Sequence, residues 1–443
     1  MTNTLEIAAE VRAWASNYEM LKSFSTGLPA SVTATRDAAM NAFLRLGFPT
    51  TKHEEWKYTS LRRLVEGNFA PAFRLPETGI DHSVDYFYDV VLPHGFGSNV
   101  VVLVNGHFDP NLSRLQAGAI RVGSLKVALE KDDTAVLAHY AKISSYENHA
   151  LVALNTAIAD DGYYLHISRN VQFAEPINVI HLGIGEGVAA NSRTLIVVDD
   201  LSEAKVIETW YNWNAAPIWE NHVSEISVGA GAKFELCSIQ NEIEETYSLT
   251  NFTQVEQGKD SHFTSVVMSS QGGIVRNDLQ VRHLGTGCET HLNGLTLLDG
   301  NTHVDHHTLV DHAMPHCYSN ENYKTVLDGK STAVFNGKVM VRPDAQKTNA
   351  FQSNKTLLLS DGASVQTKPQ LEIFADDVKC SHGATTGRLD ETALFYMRSR
   401  GLSAPRAKAL LTYAFGAEVL EKISTEALKD TLETYLMQRL GGE

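Results

Sequence analysis

A chain of 443 residues, 43% hydrophobic and 20% charged, can build one large core with appendages or two to three domains. Its formal net charge of −15 argues against a nucleic-acid binder, which needs a basic surface to displace counterions. No apolar run approaches the roughly 20 residues of a membrane span, and Met1-Thr-Asn-Thr-Leu-Glu6 does not resemble a secretory leader. The four cysteines (Cys237, Cys288, Cys317, Cys380) form no CxxC, so neither a disulfide framework nor a four-thiolate cluster site is expected. A soluble, cytoplasmic protein is the expectation.

Residues 1–85 read as a helical N-terminal region. Thr4 to Leu21 carries Leu5, Ala8, Ala9, Val11, Ala13 and Trp14 at helical spacing, and Ser31 to Leu46 repeats the pattern with Met40, Phe43 and Leu44 on one face. Gly47 ends that helix and Pro49 prevents its continuation. The charged, aromatic segment Lys52-His-Glu-Glu-Trp-Lys-Tyr-Thr59 has no clear periodicity.

From 86 to 382 short runs rich in Val, Ile, Thr and Phe alternate with Gly, Asp and Asn turns. They include Val100 to Val104, Leu195 to Val198, Val223 to Val228, Phe263 to Met268 and Ser331 to Phe335. Turn glycines recur at Gly229, Gly258, Gly285, Gly300, Gly329 and Gly362, several of them 27–33 residues apart. Such spacing marks repeat architectures. Without long helical patterns between the runs, a parallel β-helix is predicted, with a large β-sandwich as the other option.

Residues 383–443 read as helical again. Asp390 to Arg400 is one short helix stopped by Gly401, Ser403 caps a second through Ala414 with Pro405 in its first turn, and Ser424 caps a third. Leu394, Phe395, Leu410, Leu411, Phe415 and Leu420 supply more apolar surface than three short helices bury among themselves, so this region must pack on the solenoid end or on a partner.

Two constellations could carry chemistry. In His303-Val-Asp-His-His307 a strand would place His303, Asp305 and His307 on one face and His306 on the other. Imidazoles with a carboxylate suit zinc or iron, but successive positions on one face lie about 6.6 Å apart, too far for one ion without neighbouring residues. Histidines hydrogen-bonding on a solenoid or interface face are the plainer reading, for these and for His312, His316 and Cys317 nearby. In the second, Cys380-Ser-His382, thiol and imidazole project to the same side of an extended chain and form half of a borderline-soft metal site. Lys379 and a protonated His382 would favour thiolate. The alternative is a structural cysteine beside a capping histidine.

Lys324-Thr-Val-Leu-Asp-Gly-Lys-Ser331 ends like a phosphate-binding loop, but Lys324 occupies the place of its first glycine, so a β-turn and no ATPase activity are expected. Paired acids such as Asp132-Asp133, Asp160-Asp161, Asp199-Asp200 and Asp376-Asp377 read as solvated turns. The rival enzyme hypothesis is a β-helix lyase or hydrolase acting on carbohydrate.

Four stretches carry a resemblance. They are Gly47-Phe-Pro-Thr-Thr-Lys-His-Glu-Glu-Trp-Lys-Tyr-Thr59, Tyr323 to Ser331, Asp344 to Ser360, and Lys368 to Thr385 continuing through Leu389-Asp-Glu391 to Leu394-Phe-Tyr-Met-Arg-Ser-Arg-Gly401. They resemble the SufB/SufD family of iron–sulfur cluster assembly, nearly unbroken from 303 to 401 and weakest between 85 and 200. SufB-type members carry a cysteine considered essential for cluster building near the end of the β-region. Ser360 to Glu372 has none here, which places the resemblance on the SufD side. It implies a mainly β protein, a right-handed parallel β-helix between helical ends, acting as a non-catalytic scaffold. SufB would pair through the β-helix, and the ABC-type ATPase SufC would dock on the C-terminal helices, where the six apolar residues named above lie. A transient cluster would form at the SufB interface with His382 as iron ligand and Cys380 beside it. The resemblance implies no tightly held cofactor for this chain alone, leaves flavin open, and allows a homodimer in isolation. The purified chain is accordingly predicted to hydrolyse no ATP and to cleave no polysaccharide, which a turnover assay free of SufC checks.

Overall fold

The computed structural model describes residues 8–76, 99–116 and 120–441. The expected boundary near residue 85 lies outside them. Each short β-run named above falls in a strand, and the strands alternate between two ten-stranded sheets. The first sheet runs from Ser364–Ile373 through Thr332–Val341, His303–His312, Ile274–His283, Tyr247–Gln257, Ile218–Val228 and Val188–Val198 to Asp161–Ile167. The second runs from Lys379–Gly387 through Asn349–Leu358, Tyr318–Leu327, Glu289–Leu298, His262–Ser269, Lys233–Glu242 and Glu203–Asn212 to Ile177–Gly183 and Val100–Val104. Pairing along these coils is parallel, so the chain forms a β-solenoid of about 8 turns.

The turn glycines are required by the stacking. In the corner that follows the first sheet, a Cβ on Gly258 would sit 2.9 Å from the backbone nitrogen of Ala230, and one on Gly285 2.2 Å from that of Lys259. The coil beneath leaves no room for a side chain. Lys324 lies within Tyr318–Leu327 and Gly329 in the following turn at φ 62°, so the loop that resembles a phosphate cradle is the predicted β-turn.

Among the described residues, three helices interrupt the region expected to hold only strands: Leu125–Glu130, Thr134–His139 and Ala150–Ile158. Every residue from Leu151 to Ile158 is buried, the polar Asn155 and Thr156 included, so this helix is sheathed on all sides. It packs with Ala9–Phe24 and Ala30–Leu46 against the outer face of the first sheet, in a cluster that includes Trp14, Phe43, Leu154 and Trp219. Trp14 and Trp219 meet edge to face at 5.7 Å, a geometry that adds to simple area burial. Asp160 and Asp161 correct the expectation of a solvated turn. Both are buried, Asp160 accepting from Lys126 Nζ at 2.6 Å and Asp161 from Ser124 Oγ at 2.8 Å.

At the other end, Glu391–Ser399 is capped by Asp390, and Ala404–Leu420 by Ser403, which accepts from the Arg406 N–H. That helix runs past Ala414 because Phe415, Val419 and Leu420 continue its buried side. The third, Glu426–Arg439, starts from Thr425 rather than Ser424; the Ser424 N–H instead donates to Glu235 at 3.1 Å. Val419, Leu420, Leu428, Leu432 and Leu436 cover Ile239, Met268, Leu295 and Val326 on the outer face of the second sheet. Much of the apolar surplus is therefore consumed within the chain.

The lumen between the sheets carries apolar stacks, Phe234 on Phe263 and Tyr323 against Phe335, together with buried polar groups, some of them in the last coils. Glu321 is fully buried there, accepting from Thr308 Oγ1 at 2.5 Å. Burial pushes its carboxyl up to about 7 from 4.5. The native state thus holds a proton that the unfolded chain releases between those two values. Stability from this group is complete below the unfolded pKa and is lost as pH rises through the folded one, by about 3 kcal/mol. Glu321→Gln is predicted to flatten that slope and to exceed the wild type by about 1–3 kcal/mol at pH 8, measured by urea unfolding at pH 5 and 8. A variant no more stable than wild type at pH 8 would contradict it.

Candidate functional site

The segment Lys52 to Thr59 is a staple. Its single 3₁₀ turn, Glu54–Trp56, lies across the outer face of the strand His303–His312. As period-two alternation requires, His303, Asp305 and His307 share that face. Thr59 Oγ1 sits 2.9 Å from His303 Nε2 and donates to Asp305. Arg276 Nη1 reaches Asp305 at 2.7 Å and the Glu55 carbonyl at 2.8 Å, and its guanidinium covers the Trp56 ring at 4.3 Å. His307 bridges Asp305 at 3.1 Å and Glu55 at 3.2 Å. Burial alone would raise Asp305, but Arg276 and His307 hold it well below the usual carboxylate range. Burial pulls His307 down; Asp305 and Glu55 outweigh it and hold it up to about 9.

These histidines do not converge on an ion. Asp305 is occupied by Arg276 and Thr59, and His306 faces the lumen, 3.1 Å from Thr296 Oγ1. His312 is also inside, 2.9 Å from Ser319 Oγ, while His316 is exposed at a corner. Hydrogen-bonding histidines, the plainer reading, are what the fold contains. Beside the staple opens a cleft of about 440 Å³, lined by Trp56, His149, Phe252, Arg276, His307 and Gln370.

The second constellation lies at the open end of the solenoid. Cys380 pairs in register with Ala350 and His382 with Gln352 on the final strand, Lys379–Gly387. Paired positions of a parallel ladder share a face, and Glu321, Gln352 and His382 form one continuous column in register. Glu321 and Gln352 are buried, whereas His382, at the head of the column, is exposed. The Gln352 amide nitrogen and oxygen and Glu321 Oε1 all lack a full hydrogen bond, which leaves the column under-satisfied where it meets solvent.

The same-side geometry of Cys380 and His382 is as predicted, but the expectation of a favoured thiolate is not met. Cys380 is half-buried against the apolar cluster of Val339, Val341 and Ala350, and burial pushes its thiol up. The apolar residues expected to meet a partner separate by exposure. Leu420 is fully buried, which removes it from any partner surface. Leu394, Leu410, Leu411 and Phe415 are half-buried. Phe395 is 72% exposed and its neighbour Tyr396 58%, and the helix that carries them buries no residue at all.

Two groupings were not legible in the sequence. Cys288 and Cys317, one coil apart, are both buried and both direct their Sγ atoms to the Gly285 carbonyl, at 3.1 and 3.4 Å. In the lower lumen His181, Glu208, Glu220 and His222 come together, all fully buried. The usable signal was separation near the coil repeat for Cys288 and Cys317 and for His181 and Glu208; Glu220 and His222 come from the facing sheet, which only the folded coil reveals.

The family model described as SUF system FeS cluster assembly, SufBD core domain, matches residues 181–415. That of the SufBD protein N-terminal region matches residues 13–179. The chain is 32% identical over 410 residues to the iron–sulfur cluster assembly SufBD family protein slr0076 of Synechocystis, covering 90% of this chain and 88% of that protein. It is 30% identical over 411 residues to the iron–sulfur cluster assembly protein SufD of Escherichia coli, covering 91% and 92%. To SufD of Bacillus subtilis it is 25% identical over 298 residues, covering 66% and 68%. A solenoid with helical ends, the staple drawn from Gly47 to Thr59, and likeness along nine-tenths of the chain lead to one conclusion: the chain belongs to the SufBD family.

Proposed function

We propose that this chain is a SufD-type scaffold, without catalytic turnover of its own, that presents the open end of its solenoid to a SufB-type partner during iron–sulfur cluster assembly. The observation that carries the reading is the final coil. Among the described residues, strands Ser364–Ile373 and Lys379–Gly387 each pair on one side only, and an unpaired strand edge is a template for another chain. His382 is exposed on that coil, where a neutral imidazole contributes one iron ligand and adds no charge. A thiolate from the partner would provide a stronger bond. A ligand set divided between two chains holds its cargo loosely enough to pass it on. The same edges support a homodimer of the isolated chain.

His382→Ala is predicted to leave association with a SufB-type partner intact and to lower cluster yield at least about tenfold, since an exposed edge residue contributes little packing. Cys380→Ala should lower yield less, because the half-buried Cys380 packs against the core. Anaerobic reconstitution followed by visible absorption measures both; wild-type cluster yield from His382→Ala removes this histidine from the site.

The C-terminal helices are proposed to dock SufC. Their support is the exposed Phe395-Tyr396 pair on a helix with no buried residue, since uncovered aromatic surface marks interaction sites. Deleting the whole region would uncover Ile239, Met268, Leu295 and Val326 of the solenoid, so the informative change is local. Phe395→Ser with Tyr396→Ser is predicted to weaken SufC binding at least about tenfold while leaving the melting temperature of the isolated chain within about 2 °C. Unchanged affinity in a calorimetric titration places SufC elsewhere.

A further inference from the structure

The lower lumen holds a cluster that neither the staple nor the open end uses. His181 enters from the strand Ile177–Gly183, Glu208 from Glu203–Asn212 and His222 from Ile218–Val228. One ligand atom from each lies within 4.8 Å of the others. A polar support surrounds them. Glu220 Oε1 is 2.9 Å from His181 Nδ1 and accepts from Ser192 Oγ at 3.1 Å, and the Tyr247 hydroxyl donates to Glu220 Oε2. Ser192 Oγ in turn lies 2.6 Å from His222 Nδ1. With its hydroxyl proton directed to Glu220, Ser192 accepts from His222 Nδ1–H, and His222 Nε2 then accepts from Ser224 Oγ at 2.8 Å, a bond that an ion would displace. One carboxylate thus orients both imidazoles, directly and through a serine, as carboxylates do behind metal-bound histidines. Glu208 is held by the Tyr163 hydroxyl at 3.0 Å.

Two features point to a ligand and not merely to a polar core. His181 Nε2 is buried without a hydrogen-bond partner and stands 3.9 Å from Glu208 Oε1, the kind of gap an ion bridges and a proton does not. The second feature is the pair of carboxylates: Glu208 and Glu220 are both buried here, and the nearby Arg193 is already paired with Glu225 at 2.7 Å. A divalent ion would offset both charges in a low-dielectric lumen, where unpaired charge is costly. We propose that His181, Glu208 and His222 bind one divalent first-row transition ion, with Glu220 orienting the two histidines. Two imidazoles and a carboxylate suit iron(II), cobalt(II) or zinc(II). Because all three ligands are sealed from solvent, the ion would enter during folding and stabilise the coils that supply them.

The test refolds the full chain anaerobically with cobalt(II) or zinc(II), removes loosely held metal by desalting, and counts what remains. About one equivalent of cobalt is expected, with visible bands of nitrogen and oxygen ligation and no thiolate charge-transfer absorption. His222→Gln and Glu208→Gln should each retain at least about tenfold less. X-ray absorption on the zinc-loaded wild type should show two imidazoles and oxygen in the first shell; this decides the matter if either variant fails to refold. No retained metal, a sulfur shell from Cys288, Cys317 or Cys380, or equal retention by a folded variant would overturn the site.

Discussion

Each inner strand of the solenoid hydrogen-bonds in parallel to the strand one coil earlier and the strand one coil later, and side chains on paired positions therefore stack. This single constraint decides which residues far apart in sequence become neighbours. It places Arg276 beside Asp305 and Glu321 beside Gln352 beside His382. It also brings the turn glycines within contact distance of the backbone beneath them. A shift of one residue in any ladder would turn every lumen side chain outward, so the apolar residues of the lumen and the close-packed corners enforce the same register from two directions.

Parts of this were legible beforehand for local reasons. The β-runs and turn glycines are short-range signals, and His303, Asp305 and His307 share a face because alternation is a property of any strand. Asp390 and Ser403 announce their helices through capping chemistry confined to a few residues. The helix Ala150–Ile158 was missed for an equally physical reason: at 9 residues it is too short for a helical period to stand out from the apolar runs around it. Asp160 and Asp161 mislead because acidic pairs usually sit in turns, whereas here Lys126, Arg36 and Ser124 neutralise or solvate them inside the protein. The six C-terminal apolar residues gave the right quantity of hydrophobic surface, but whether a neighbour in the same chain covers it depends on docking. Leu420 went to the solenoid and Phe395 stayed in water.

The lumen shows how one architecture is divided into regions of different character. Where Phe234, Phe263 and Val267 fill it, coil-on-coil packing needs no partner beyond dispersion and apolar burial. Near the open end Glu321 and Gln352 replace such residues, and their incomplete hydrogen bonding costs stability. Natural proteins carry such local conflicts where structure is subordinated to something else. The column's position, leading from a sealed interior to an exposed imidazole, sets the last coils apart from the rest of the solenoid.

The staple imposes an order on biosynthesis. Glu55 waits for His307, 252 residues later, and Thr59 for Asp305, 246 residues later. At roughly 5–20 residues per second, the N-terminal segment leaves the ribosome about 13–50 s before its docking face exists. The helices Ala9–Phe24 and Ala30–Leu46 can settle sooner, on Leu154 and Trp219, but the segment after Gly47 must remain unpaired in the interval. Its charged and hydroxylated sequence, Lys52-His-Glu-Glu-Trp-Lys-Tyr-Thr59, is well suited to wait in water. When it closes, it latches the strand His303–His312 from outside, so this segment docks only after about 250 further residues have emerged.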